Sequence, residues 1–443
     1  MKNLTLSVCF WIALTTIFSQ NWEPIGPFYG KSVSKPYLHS MGLVDAVLAH
    51  PIYSNTLLVS TNSSGIWRTN DKGNTWKCVT ENIELIPGMG IKSFAMNPNN
   101  NQEILAAAGN YVYGFDNYGG NLLRTQDWGL TWYLDTVFKN IPHTQTLEKV
   151  LYDKNGKLFV ITEKEIFTST DNGETYDLLF ELKREKVYIK TEAQQIVDFE
   201  ISETGIMLVS TGHKWGSRGN CWKSSDNGNT WNNLENNPIF LEVTKKHILA
   251  IKLSSFSKGR IIIGFNDGKS ILLYKSSDHG ASFYPTGKIK LDWETGDAKP
   301  TKWEMEFSEK YKDRVYMGFI EFFHWDSVSG LTQLSPGQNI SKEEHDDVRA
   351  MQVINRAGKE KIIMGNDGGI SIYTATTKKF ESWNGYELPT LQIYNMAISQ
   401  LDSSFTIFIG TQDNGTFSYQ NNEWNFIRGG DGGGNYLSDN AEM

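Results

Sequence analysis

The chain has 443 residues, 39% of them apolar, enough for a large buried core or for two domains. A formal net charge of −8, with no basic cluster interleaved with aromatic residues, argues against a nucleic-acid partner. Aromatic residues make up 13% and 40 glycines are spread along the chain, a composition suited to many short strands joined by tight turns.

At the front, Met1-Lys2 precedes an apolar run from Leu4 to Phe18 and the small residue Ser19. The run is shorter than an ordinary membrane span and stands in signal-peptide order. Residues 1–20 are therefore expected to be a removable export signal, and residues 21–443 a propeller domain. No later stretch reaches spanning length, so the expected location is secreted, periplasmic or cell-surface, with no membrane span once the signal is gone. Cys9 falls inside the signal, while Cys78 and Cys221 stand in different repeats and are expected as free thiols.

An eight-residue phrase, Ser/Thr-x-Asp-x-Gly-x-Thr/Ser-aromatic, then occurs five times. It runs from Thr69 to Trp76, Thr125 to Trp132, Ser169 to Tyr176, Ser224 to Trp231 and Ser276 to Phe283. Its aspartates, Asp71, Asp127, Asp171, Asp226 and Asp278, lie 56, 44, 55 and 52 residues apart, about the length of a four-stranded propeller blade. The Asp is expected to accept backbone N–H groups one to three residues on, and the Gly to supply a positive φ. The aromatic ring then opens the next strand and buries itself between sheets. These are structural turns at the outer rim. They lack the alternate oxygen ligands and terminal Glu of a calcium loop, so no metal and no cofactor is assigned.

Two apolar strands precede each phrase, as in Gly42 to Pro51 and Leu57 to Gly65 of the first repeat. After Asp278 the phrase decays but the order continues: Val315 to Asp326 reads as a sixth repeat, Val348 to Trp383 as a seventh, Leu391 to Ile427 as an eighth. The expected fold is all-β, a β-propeller of four-stranded blades with about seven or eight blade-like repeats. Asn21 to Phe28 is expected to complete the last blade as an outer strand. Residues 435–443 read either as a ragged end or as the start of a repeat cut short.

The polar stretches that stand out lie late. They are Glu343 to Asp347, Gly365-Asn366-Asp367-Gly368-Gly369, Gly410-Thr411-Gln412-Asp413-Asn414-Gly415 and Gly429-Gly430-Asp431-Gly432-Gly433-Gly434. Three of the four place an Asp in a Gly-rich loop after an apolar strand, where loops face a ring's mouth, although turn-making alone explains any single one. Taken with the five phrases, their order resembles the large exported Asp-box (BNR-repeat) propellers of Bacteroidetes-type bacteria, which are similar to the xyloglucan-hydrolase and sortilin-type propellers. In those hydrolases one catalytic acid lies in a first-blade motif like Arg-Thr-Asp-x-Gly-Gly and the other in a Gly-Asp-x-Gly-Gly loop of a second ring. The resemblance sets the first motif on Ser60 to Gly65, so Asn62 stands where a carboxylate is required.

Two readings follow. The first is a non-catalytic exported propeller that binds a polysaccharide or protein ligand through Asn62, Asp347, Asn366, Asp367, Gln412, Asp413 and Asp431. The second is a glycoside hydrolase with Asp367, Asp413 and Asp431 as catalytic candidates, Asp45 and Asp347 standing beside them. Carboxyl separation discriminates between the two, because an acid pair must straddle one glycosidic bond.

Overall fold

The computed structural model describes residues 26, 42–61, 64–83, 90–110, 118–139, 146–182, 195–212, 220–234, 250–253, 259–266, 270–290, 304–335, 345, 347–384, 388, 390–401 and 404–434. Among them the chain forms eight four-stranded antiparallel sheets, each strand paired with the next in sequence. The sheets span 46–78, 90–134, 147–181, 195–233, 250–290, 304–333, 350–382 and 393–428. The one helix among the described residues is a single turn, Thr136–Lys139.

The first seven sheets are the blades of a closed β-propeller. The first strand of each packs against the first strand of the next, so these strands surround the axis and the fourth strands lie at the rim. Closure falls between blades seven and one, where Ala46–Ala49 packs on Ala350–Arg356 and Lys359–Asn366. Val44, Leu57 and Trp76 share one apolar cluster there with Ile363, Ile370, Ile372 and Trp383. The seam is also hydrogen-bonded: Val44 N donates to the Asn366 carbonyl at 3.0 Å and Trp76 Nε1 to the Trp383 carbonyl at 3.0 Å. Blades one and seven each supply their own four strands. The ring therefore closes by packing of faces among the described residues; the completing strand expected from Asn21 to Phe28 lies outside them, apart from residue 26.

Being sandwiched explains the sequence of the second strands. Leu57–Ser60, Leu158–Thr162, Met207–Gly212 and Val315–Gly318 are buried at every residue. A strand covered on both faces reads as a continuous apolar run rather than an alternation. The eighth sheet stands outside the ring, with its own small cluster of Ile407, Ile409, Phe417 and Trp424.

The five phrases form the hairpins between third and fourth strands, at the rim as expected. In the first, the Asp71 carboxylate accepts the Thr75 amide at 3.0 Å and the Thr75 hydroxyl at 2.6 Å, while the Thr69 hydroxyl donates to it at 2.8 Å. The amide donor common to all five thus lies four residues on, one beyond the expected reach, while amides three on also serve Asp127 from Leu130 at 3.0 Å, Asp71 from Asn74 and Asp278 from Ala281. The reason is a second left-handed residue. Lys72 (φ 64°) precedes Gly73 (φ 78°), and the pair folds the chain back until the fourth amide meets the carboxylate. Trp76, Trp132 and Phe283 are buried as expected, whereas Tyr176 and Trp231 are half-buried. Cys78 and Cys221 are free thiols. Among the described residues no helix is long and apolar enough to cross a membrane.

Candidate functional site

In an up-and-down sheet, the turn from second to third strand and the connection entering the first strand emerge at one end. The rim phrases emerge at the other. Asp45 and Asp347 stand just before the first strands of blades one and seven. Asp367 and Asp413 occupy the second-to-third turns of blade seven and of the eighth sheet, and Asp431 follows the last strand of that sheet. All five therefore lie at the end of their sheets opposite to the phrases.

Three of them converge. One carboxyl oxygen each from Asp347, Asp367 and Asp413 lie within 4.8 Å of one another. Asp413 hydrogen-bonds to Asp367 through its side chain, and Asp431 Oδ1 accepts the Asp413 amide at 3.0 Å. The Arg349 guanidinium grips Asp367 with two nitrogens, Nε on Oδ1 and Nη2 on Oδ2, the latter at 2.6 Å. The charge of Asp45, across the closure seam on blade one, acts on the same guanidinium. Two backbone distortions bring the acids together: Asp347 (φ 63°) and Asp413 (φ 53°) are both left-handed, a conformation Asp tolerates better than most residues.

Burial dominates the electrostatics. It pushes Asp413 up to about 7, helped by the hydrogen bond to Asp367 and by the charges of Asp367, Asp431 and Asp347. Asp347 is raised as well, by burial first and then by Asp367, with Arg349 and His345 pulling the other way. Burial opposes the charge of Arg349, but the bond to Asp367 and the charges of Asp367, Asp45 and Asp347 outweigh it and hold that charge more firmly.

The other expected residues fare differently. Asn62 lies outside the described residues. Asn366 is 1% exposed and its amide serves the hairpin, Oδ1 accepting the Gly368 amide at 3.0 Å and Nδ2 donating to the Ser371 hydroxyl at 3.0 Å. Gln412 is half-buried and donates to Asp413 Oδ2 at 3.3 Å. Two residues of the site were not among those singled out from sequence. Arg349 is one; the only signal for it was a lone cation two places after Asp347 in an acidic stretch. Asn414 is the other, 8% exposed, its Nδ2 donating to the carbonyls of Asp367 at 2.9 Å and Gln412 at 2.8 Å.

No family model matches the chain. A xyloglucanase of Hypocrea jecorina (strain QM6a) is 26% identical over 180 residues, a stretch covering 38% of this chain and 21% of that protein. Among solved structures, the GH74 xyloglucanase of Xanthomonas campestris superposes with a TM-score of 0.62 at 15% identity, over 84% of this chain and 58% of that one. The chain thus spans well under two thirds of either xyloglucanase. YCF48 from Cyanidioschyzon merolae gives a TM-score of 0.47 at 13% identity, over 77% of this chain and 98% of that one. At these identities the structural likeness shows the fold alone.

Proposed function

We propose that this chain is an exported propeller that binds a polysaccharide of the xyloglucan type at the end of the ring carrying the Asp347, Asp367, Asp413 and Asp431 cluster, without hydrolysing it. Export rests on the reading of residues 1–20, and the ligand class on the likeness to xyloglucanases. The carboxyl geometry carries the non-catalytic part. An inverting pair stands about 6.5–9.5 Å apart and a retaining pair about 5–5.5 Å apart, with the sugar between them. Here three carboxyl oxygens crowd within 4.8 Å, Asp413 is hydrogen-bonded directly to Asp367, and Asp367 is held by Arg349. A pair bonded to each other leaves no room for a glycosidic oxygen and a water. The resemblance of Ser60 to Gly65 to the hydrolase motif, with the amide of Asn62 in place of an acid, points the same way.

The test is a polysaccharide panel in which binding is followed by affinity electrophoresis and cleavage by release of reducing ends. Retention by xyloglucan or a related β-glucan without new reducing ends is expected. Turnover abolished by Asp367→Asn or Asp431→Asn would replace this reading with the hydrolase.

A further inference from the structure

We propose that the acidic cluster between blade seven and the eighth sheet is a calcium site, with Asp347, Asp367, Asp413 and the side-chain oxygen of Asn414 as its ligands. The proposal does not depend on any sugar binding. Calcium takes hard oxygen ligands at about 2.3–2.6 Å, so two ligands on opposite sides of the ion are about 5 Å apart. Carboxyl oxygens that all lie within 4.8 Å of one another fit around such an ion.

Asn414 supplies an independent observation. It is more than nine-tenths buried, and its Nδ2 is committed to two carbonyls, one of them that of Asp367 itself. Those two acceptors fix which end of the amide is nitrogen, because the flipped amide would set oxygen against oxygen. Its Oδ1, one amide width away, is buried with no hydrogen-bond donor. A buried acceptor without a donor costs about 1–3 kcal/mol, and a cation beside it removes that cost. Among the described residues, the guanidinium that grips the group is that of Arg349, whose two bonds both go to Asp367. It leaves Asp347, Asp413 and Asp431 without an ion pair among the described contacts. Carboxylates and an amide oxygen, with no thiol or imidazole ligand, favour calcium over zinc.

The ligands come from two bodies. Asp347 and Asp367 belong to the closed ring, and Asp413 and Asn414 to the sheet outside it. An ion shared between them would pin the second-to-third hairpin of the eighth sheet onto blade seven.

The experiment uses the full chain, stripped with EDTA and titrated calorimetrically with Ca²⁺, and with Mg²⁺ and Zn²⁺ for comparison. One Ca²⁺ per chain is expected, bound more tightly than Mg²⁺. Asp413→Asn and, as a second variant, Asp347→Asn should each weaken it by at least about tenfold while keeping the wild-type circular dichroism. Hydrogen exchange should slow with Ca²⁺ in residues 404–420 and stay unchanged in blades one to six. The proposal is overturned if no saturable heat is seen up to about 10 mM Ca²⁺, beyond the range of weak extracellular calcium modules. It is equally overturned if a folded Asp413→Asn or Asp347→Asn chain binds as the wild type does.

Discussion

The seven blades of the ring and the eighth sheet are built from the same kind of strand, yet they are stabilised differently. In the ring, each sheet has a neighbour on both faces. Met305, on the first strand of blade six, is 2% exposed and shares a cluster with Phe319 and Trp325. The corresponding strand of the eighth sheet, Ile393–Leu401, carries apolar residues just as densely, but Met396 is 56% exposed and Ile393, Tyr394 and Ile398 are exposed with it. A blade becomes a blade only when another sheet covers it. Among the described residues, strand pairing alone leaves the eighth sheet with a core of four buried side chains.

That contrast gives the largest expected effect. Met305→Glu buries a carboxylate among apolar side chains and should cost about 4 kcal/mol or more, or abolish folding. Met396→Glu, at the equivalent strand of the eighth sheet, should change stability by no more than about 0.5 kcal/mol. Urea denaturation of the two variants measures both. Similar losses would mean that the outer face of the eighth sheet is covered in solution.

The closure seam is the next place to press. Gly73 has φ 78°, and a Cβ there would stand 2.0 Å from the carbonyl oxygen of Trp383, the same oxygen that receives Trp76 Nε1. Backbone strain and a backbone clash add, so Gly73→Val should cost about 3 kcal/mol. Gly228 has φ 91°, but its Cβ would meet a side chain rather than backbone, the Cδ1 of Leu179 at 2.4 Å and its Cγ at 3.1 Å. Gly228→Val should therefore cost less, about 1–2 kcal/mol. Thermal melts of the two proteins give the ranking, and equal losses would show that the seam between blades one and seven has no special rigidity.

Much of this architecture was legible in the sequence because its signals are local. The phrase marks five rim hairpins, and runs such as Leu158 to Thr162 show second strands whose both faces are covered. What was not legible depends on distant parts of the chain. Ile393, Tyr394, Met396 and Ile398 look like any inner strand, and a repeat of about 50 residues continues past the point where the ring closes at seven. The acids of the site could be picked out from Gly-rich turns, since Asp and Gly at a hairpin tip form a visible pattern. Arg349 and Asn414 could not, because a lone arginine and a turn asparagine acquire their roles only from what the fold sets beside them.

The smallest expected effect is acid sensitivity, and it too separates the ring from the eighth sheet. The hydroxyls and amides of Thr175, Thr230 and Ser282 donate to Asp171, Asp226 and Asp278 and lower all three to about 2, from an ordinary value of 3.8. Because the folded-state value is the lower one, these carboxylates contribute stability above about pH 4, and the contribution is lost as pH falls through about 2. The matching hairpin of the eighth sheet has no such Asp. It turns through Asn421 (φ 54°) and Asn422 (φ 62°), the pair of left-handed residues a type I′ turn requires, and neither of these two turn residues is a carboxylate; Glu423 opens the strand that follows. Between pH 4 and 2, amide exchange should therefore accelerate at the rim hairpins of blades three to five, beyond the intrinsic pH effect, and not at the turn residues 421 and 422. Thr230→Val removes the hydroxyl 2.6 Å from Asp226 and should move that group back toward 3.8, which carboxyl carbon shifts in an NMR titration report directly. A wild-type Asp226 already titrating near 3.8 would show that the rim turn does not hold its carboxylate in the way the geometry requires.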